Sequence, residues 1–172
     1  MESRAKLLGH AIHPILITFP LGLLGASVVF DAIYLVKRNG LWAQLAFWNT
    51  AGGILSGLVA ALFGLIDWLS IPAATRAKAI GLRHGGGNVL VVTLFSASWL
   101  LRRREPQHPP TSARVLAILG LSLAGVTGWL GGELVERLSV GVDPGAHLDA
   151  PSSLSGAPAR DSDATLGSAE AA

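Results

Sequence analysis

His10, His13 and His84, with Asp67, Asn88 and Glu133, are side chains of this 172-residue chain whose types and places could hold an ion or move a proton. Each falls in or beside a long apolar stretch, where a polar group needs a partner or a task. Neutral imidazole is the commonest metal ligand, and two imidazoles on facing helices are a usual way to hold haem iron in a bundle. His10 and His13 are three residues apart, and His84 and Asn88 four apart, so on a helix each pair shares a face. His13 or His10 with His84 would supply the ligands to haem b or a transition metal. Asp67 would accept the second ring N–H, with Asn88 and Glu133 as further proton partners. Two other readings stay open: a His/Asp relay for protons or a small ion, and a network that fixes helix register only. No serine lies in a nucleophile elbow, so a hydrolytic triad is unsupported; the chain is read as not being an enzyme by itself.

These residues must be positioned by helices in a bilayer. Hydrophobic residues make up 51% of the chain, charged residues 14%, and mean hydropathy is +0.52, against about 25% charged residues in soluble domains. A membrane crossing needs about 20 apolar helical residues, and the sequence predicts four: about 14–36, 41–71, 84–101 and 115–134. The expected fold is all-α, an integral membrane four-helix bundle over residues 1–142 with both termini on the same side. Arg4 and Lys6 precede the first apolar run as in a signal peptide, but the run is too long and lacks a small-residue cleavage site, so it is read as a retained helix. Residues 143–172, rich in Ala, Ser, Pro, Gly and Asp, are expected to form a disordered tail. In this topology His10, His13, Asp67, His84 and Glu133 gather at one membrane face. Asp31, five turns from His13 and about 27 Å along the axis, is a separate polar site, with Asn49 or the Lys37-Arg38 loop as its expected partner.

Small residues must supply close helix packing in lipid. The second span offers Gly53, Gly57, Ala60 and Gly64 in a 4-3-4 spacing that continues to Asp67; the fourth offers Gly120, Ala124, Gly128 and Gly132. This places Asp67 on a packed face, with His84 or His13 as its expected partner. Residues 1–138 carry 12 basic and 6 acidic side chains, with the basic ones in the loops as membrane insertion demands, and no basic helical face points to nucleic acid. Lys and Arg divide evenly between the two sides; the shorter, more closely abutting basic loops place the termini outside the cytoplasm. The chain has no cysteine, which excludes disulfides and thiolate chemistry.

Gly9-His10-Ala11-Ile12-His13-Pro14 leading to Phe19-Pro20-Leu21-Gly22, then Phe30-Asp31, Gly64-Leu65-Ile66-Asp67-Trp68, His84, and Gly128-Trp129-Leu130-Gly131-Gly132-Glu133-Leu134-Val135 with Val140-Gly141-Val142 together resemble a family of bacterial membrane proteins, domain of unknown function 2231. The resemblance covers residues 9–142 and implies a four-helix membrane domain of unsettled activity in the bacterial cytoplasmic membrane. Some members are joined to a Rieske iron–sulfur domain, which implies a redox setting and a redox or respiratory membrane partner; no such domain is expected in this cysteine-free chain. Ala11 replaces a proline of the family's first motif, and Arg137-Leu138-Ser139-Val140 stands where a further histidine is usual.

Overall fold

The N-terminal residues form a two-residue hairpin before any long helix begins. β1 (Lys6–Leu7) pairs antiparallel with β2 (His10–Ala11) in the computed structural model, which describes residues 1–157 and 159. Its two loop residues, Leu8 and Gly9, have φ of 51° and 85°, the positive values a tight primed turn requires. Four helical runs follow. The first is α1 (Ile12–Leu16) and α2 (Thr18–Lys37), where the sequence predicts one uninterrupted span. The break has a simple cause: Pro20 has no N–H for the carbonyl of Leu16 four residues back, and its ring crowds that carbonyl. Pro14 lies in the first turn of α1, where a missing N–H costs nothing.

Arg38 closes α2 in the left-handed conformation, its N–H bonded to the Tyr34 carbonyl, and Asn39 caps α3 (Gly40–Ser70) by accepting from the Leu41 N–H. Pro72 follows the end of α3. Thr75 then caps α4 (Arg76–Arg102), accepting from the Lys78 N–H. That cap starts α4 two turns before the predicted span, adding a polar segment with Arg76, Lys78 and Arg83. α5 (Thr111–Gly132) runs on through a π-helical turn at Glu133–Arg137.

Three of the four runs, Ile12–Lys37, Gly40–Ser70 and Thr111–Arg137, are long and apolar enough to cross a membrane. Only 11–17% of each apolar stretch is buried inside the chain; Phe19, Leu21, Leu55, Leu62 and Trp129 all point outward. Such faces need lipid around them. In α4, His84, three glycines and Asn88 dilute the apolar run.

α3 packs on α2 and α4, and α5 packs on α4 and α2. The core is small: Leu24, Val91, Phe95 and Ala117, flanked by Val28, Ile54 and Leu121. Glycine notches bring the helices close. A Cβ on Gly53 would stand 2.5 Å from Leu24, and one on Gly120 would stand 2.8 Å from Phe95. The stripe predicted on the last helix drifts out of contact: Gly128 and Gly132 face open space, and Gly131 is packed instead. The working pattern is therefore Gly120, Ala124, Thr127, Gly131, a 4-3-4 spacing like that of α3.

The N-terminus is tied to the far end of the chain. The Met1 ammonium donates to the Ser139 carbonyl, and the Gly141 N–H donates to the Met1 carbonyl, so both ends of the bundle lie on one side. Within the expected tail, residues 143–157 form turns and one three-residue helix, Ser153–Ser155, whose Ser153 lies against Gly9. The tail's remaining residues, 158 and 160–172, are outside those described.

Candidate paired-imidazole site

His13 stands in the first turn of α1 and His84 in the third turn of α4. Each reaches a carbonyl on the next of the four helical runs. His13 Nδ1 is 2.9 Å from the Ala60 oxygen on α3, and His84 Nδ1 is 2.8 Å from the Thr127 oxygen on α5. A carbonyl can only accept, so both rings carry their proton on Nδ1 and present Nε2 as an acceptor. Glycine makes both bonds possible. In a helix the side chain of residue i+4 lies over the carbonyl of residue i. Four residues after Ala60 and Thr127 stand Gly64 and Gly131, and the imidazoles lie across them. A Cβ would come within 2.9 Å of His13 Cε1 at Gly64 and 3.1 Å of His84 Cε1 at Gly131.

The two rings face each other across the bundle, centroids 6.3 Å apart and planes perpendicular. They differ in their outer nitrogen. Asn88 Nδ2 donates to His84 Nε2 at 3.2 Å, and Thr127 Oγ1 donates to Asn88 Oδ1 at 2.9 Å, so His84, Asn88 and Thr127 form a closed ring of bonds. Among the described residues, His13 hydrogen-bonds through Nδ1 alone. Among the described residues no three of His, Cys, Asp and Glu converge on one point; an ion here would have two protein ligands. In-line ligation at metal–nitrogen distances near 2 Å places imidazole centroids roughly 6 Å apart, and tetrahedral ligation roughly 5 Å. The centroid separation is of the first size, while His84 Nε2 is turned to Asn88.

The other residues singled out from the sequence lie elsewhere. His10 is in β2, exposed, with Nδ1 near the Leu8 carbonyl and Ser153 Oγ; the strand removes it from the helix face it was expected to share with His13. Asp67 accepts from Ser3 Oγ at 2.7 Å and the Arg4 N–H at 3.0 Å, not from an imidazole. The N-terminal segment folds back over the end of α3 and takes the carboxylate that the spacing assigned to the bundle. Glu133 pairs with Arg76, contributed by the polar turns that lengthen α4.

Asp31 has a partner the sequence reading missed. Arg102 Nη1 and Nη2 donate to its two oxygens at 3.1 and 2.9 Å, and Nη2 also donates to Ser98 Oγ at 3.0 Å. Arg102 is 0% and Asp31 4% exposed, while Lys37 and Arg38 are exposed and Asn49 bonds the Leu45 carbonyl. Arg102 reads as the first of three solvated arginines ending a span. The available signal was its position 18 residues after His84, the same five turns that separate Asp31 from His13.

No curated protein and no solved structure matches the chain. A family model described as a predicted membrane protein, domain of unknown function 2231, matches residues 9–144. That match spans β2, all four helical runs and both ends of the imidazole and ion-pair axis, and the chain belongs to this family of predicted membrane proteins.

Proposed function

We propose that the chain is a non-catalytic, four-span module of the bacterial cytoplasmic membrane, termini outside, in which His13 and His84 hold one transition-metal ion for a redox partner. The ion is carried either in haem b or bare. One observation carries this reading: two imidazoles, each oriented by an Nδ1–H bond to a backbone carbonyl as metal-bound histidines are, stand with ring centroids 6.3 Å apart. To ligate through Nε2, His84 would have to release Asn88 Nδ2, which now bonds that atom. α4 completes the fourth crossing with its polar residues facing neighbouring helices, as intramembrane polar groups do. Purified protein, expressed with ample haem and metal, should show a Soret band or a stoichiometric metal. His13→Ala and His84→Ala should each abolish it, and His108→Ala, in an exposed loop, should not. Reporter fusions after Lys37 and Arg104 should report the cytoplasm, and fusions after Lys78 and Gly145 the other side.

The bond from Asn88 to His84 Nε2 favours a second reading, in which the imidazoles clamp helices and bind nothing. Colourless, metal-free protein after such expression would establish it.

A further inference from the structure

The features above come in pairs with constant offsets. His84 follows His13, Phe95 follows Leu24, Ser98 follows Ser27 and Arg102 follows Asp31 by 71 residues each. On the partner helices Gly120 follows Gly53, Thr127 follows Ala60 and Gly131 follows Gly64 by 67 residues each. The pairs are equivalent in contact as well as in spacing. Leu24 fills the notch at Gly53 as Phe95 fills the notch at Gly120. Each imidazole binds the carbonyl and covers the glycine of its own partner helix. The packing order agrees, since a two-fold rotation that carries α2 onto α4 and α3 onto α5 also exchanges the α3/α4 and α5/α2 contacts.

We infer that the chain is one helix hairpin present twice, α1–α3 and α4–α5, and that the inner face of each copy is a docking surface made for the other copy and closed to its own like by the Asp31–Arg102 pair. The equivalent helices meet across the axis at two places about 27 Å apart. At one place the residues are alike, His13 and His84; at the other they are opposite, Asp31 and Arg102. Two copies of the first hairpin would bury two carboxylates against each other there, and two of the second would bury two guanidinium groups, which lack counter-charges and are rejected. Equivalence has a further consequence. Arg102 takes its extra acceptor from Ser98, four residues back, and Ser27, buried, stands four residues before Asp31. An arginine at 31 would therefore have a serine hydroxyl one turn back, as Arg102 does now, with Ser27 Oγ donating to the Leu24 carbonyl where Ser98 Oγ donates to that of Ala113. This inference is independent of any metal at the imidazoles.

The test is charge exchange in the full chain, read as folded monomer after detergent extraction and as the thermal midpoint. Asp31→Arg and Arg102→Asp alone place like charges across the axis and should lower the folded-to-unfolded ratio roughly a hundredfold or more. The double variant D31R/R102D should recover most of that loss. In that background Ser27→Ala should become damaging and Ser98→Ala less damaging than it is in the natural chain. A double variant no better than either single one would overturn the inference. So would an exchanged chain that still depends on Ser98 and not on Ser27, because the two halves would then not be equivalent surfaces.

Discussion

The two ends of the axis use polar residues for different tasks. At the imidazole end each side chain binds within its own hairpin: His13 of α1 to Ala60 of α3, and His84 of α4 to Thr127 of α5. At the far end Asp31 of α2 binds Arg102 of α4, which joins one hairpin to the other. The carbonyls at the first end already accept a bond within their helices, so imidazoles there add a second donor. At the second end each buried charge has the other as its counter-charge, with Ser98 Oγ as a further acceptor for Arg102. A neutral ring can face its own copy across an axis; a charge cannot. Variants at the two ends should therefore differ in size and in what comes apart.

The largest effect is expected at the ion pair. Removing one member of a buried pair costs about 3–5 kcal/mol, and the two removals should not be equal. Arg102→Ala leaves a carboxylate that can take up a proton and become neutral. Asp31→Ala leaves a guanidinium that cannot lose one, with Nε already lacking a partner. Denaturation of the purified protein in detergent should rank Asp31→Ala as the more destabilised, and both should separate the hairpins before either hairpin unfolds. Equal losses, or a loss confined to α4 and α5, would erase the contrast between the ends.

Smaller effects are expected from the imidazoles, and here the contrast is between the two rings. His84→Ala leaves Asn88 Nδ2 without its acceptor and breaks the closed ring with Thr127, which should cost about 1–3 kcal/mol. His13→Ala removes one bond to a carbonyl that keeps its helical partner, so about 0.5–1.5 kcal/mol is expected. Thermal midpoints of the two variants without added metal give the comparison directly. A His13 variant as damaged as the His84 variant would mean that the free Nε2 of His13 has work in the bundle beyond this one bond.

The sequence makes the helices legible because their signals are local. Apolar length gives the spans, and the 4-3-4 spacing on α3 gives the packed face that receives His13. His13, His84 and Asn88 could be brought together for the same reason: alternating helices put their ends on one side. Partnerships that depend on chain folding back were not legible. Ser3 and Arg4 reach Asp67 from a segment before the first helix, and nothing in the spacing of the spans shows that. Arg76 reaches Glu133 only because Thr75 starts α4 earlier than apolarity indicates. Arg102 was hidden by its neighbours, since the first of three consecutive arginines looks like a solvated span end. Comparing the two hairpins position by position would have exposed it, because equal five-turn intervals from His13 and His84 lead to Asp31 and Arg102.

The smallest expected effect concerns Asp67 and tests whether the imidazole end stops where the hydrogen bonds stop. Both bonds to its side chain arrive at the same atom, Oδ1, from Ser3 Oγ and the Arg4 N–H. An asparagine carries a carbonyl oxygen that can occupy that position, so Asp67→Asn should keep both bonds, lose only their charge assistance, and change stability by about 1 kcal/mol or less. Combining it with His84→Ala separates the alternatives. If the carboxylate serves only to pin the N-terminal segment, the two changes share no partner and should add within about 0.5 kcal/mol. If Asp67 acts on the imidazole pair through a route the hydrogen bonds do not show, the double variant should depart from additivity by more than that, and any bound-metal spectrum should shift in Asp67→Asn alone. Additivity with an unchanged spectrum would confine the imidazole end to His13, His84, Asn88 and Thr127.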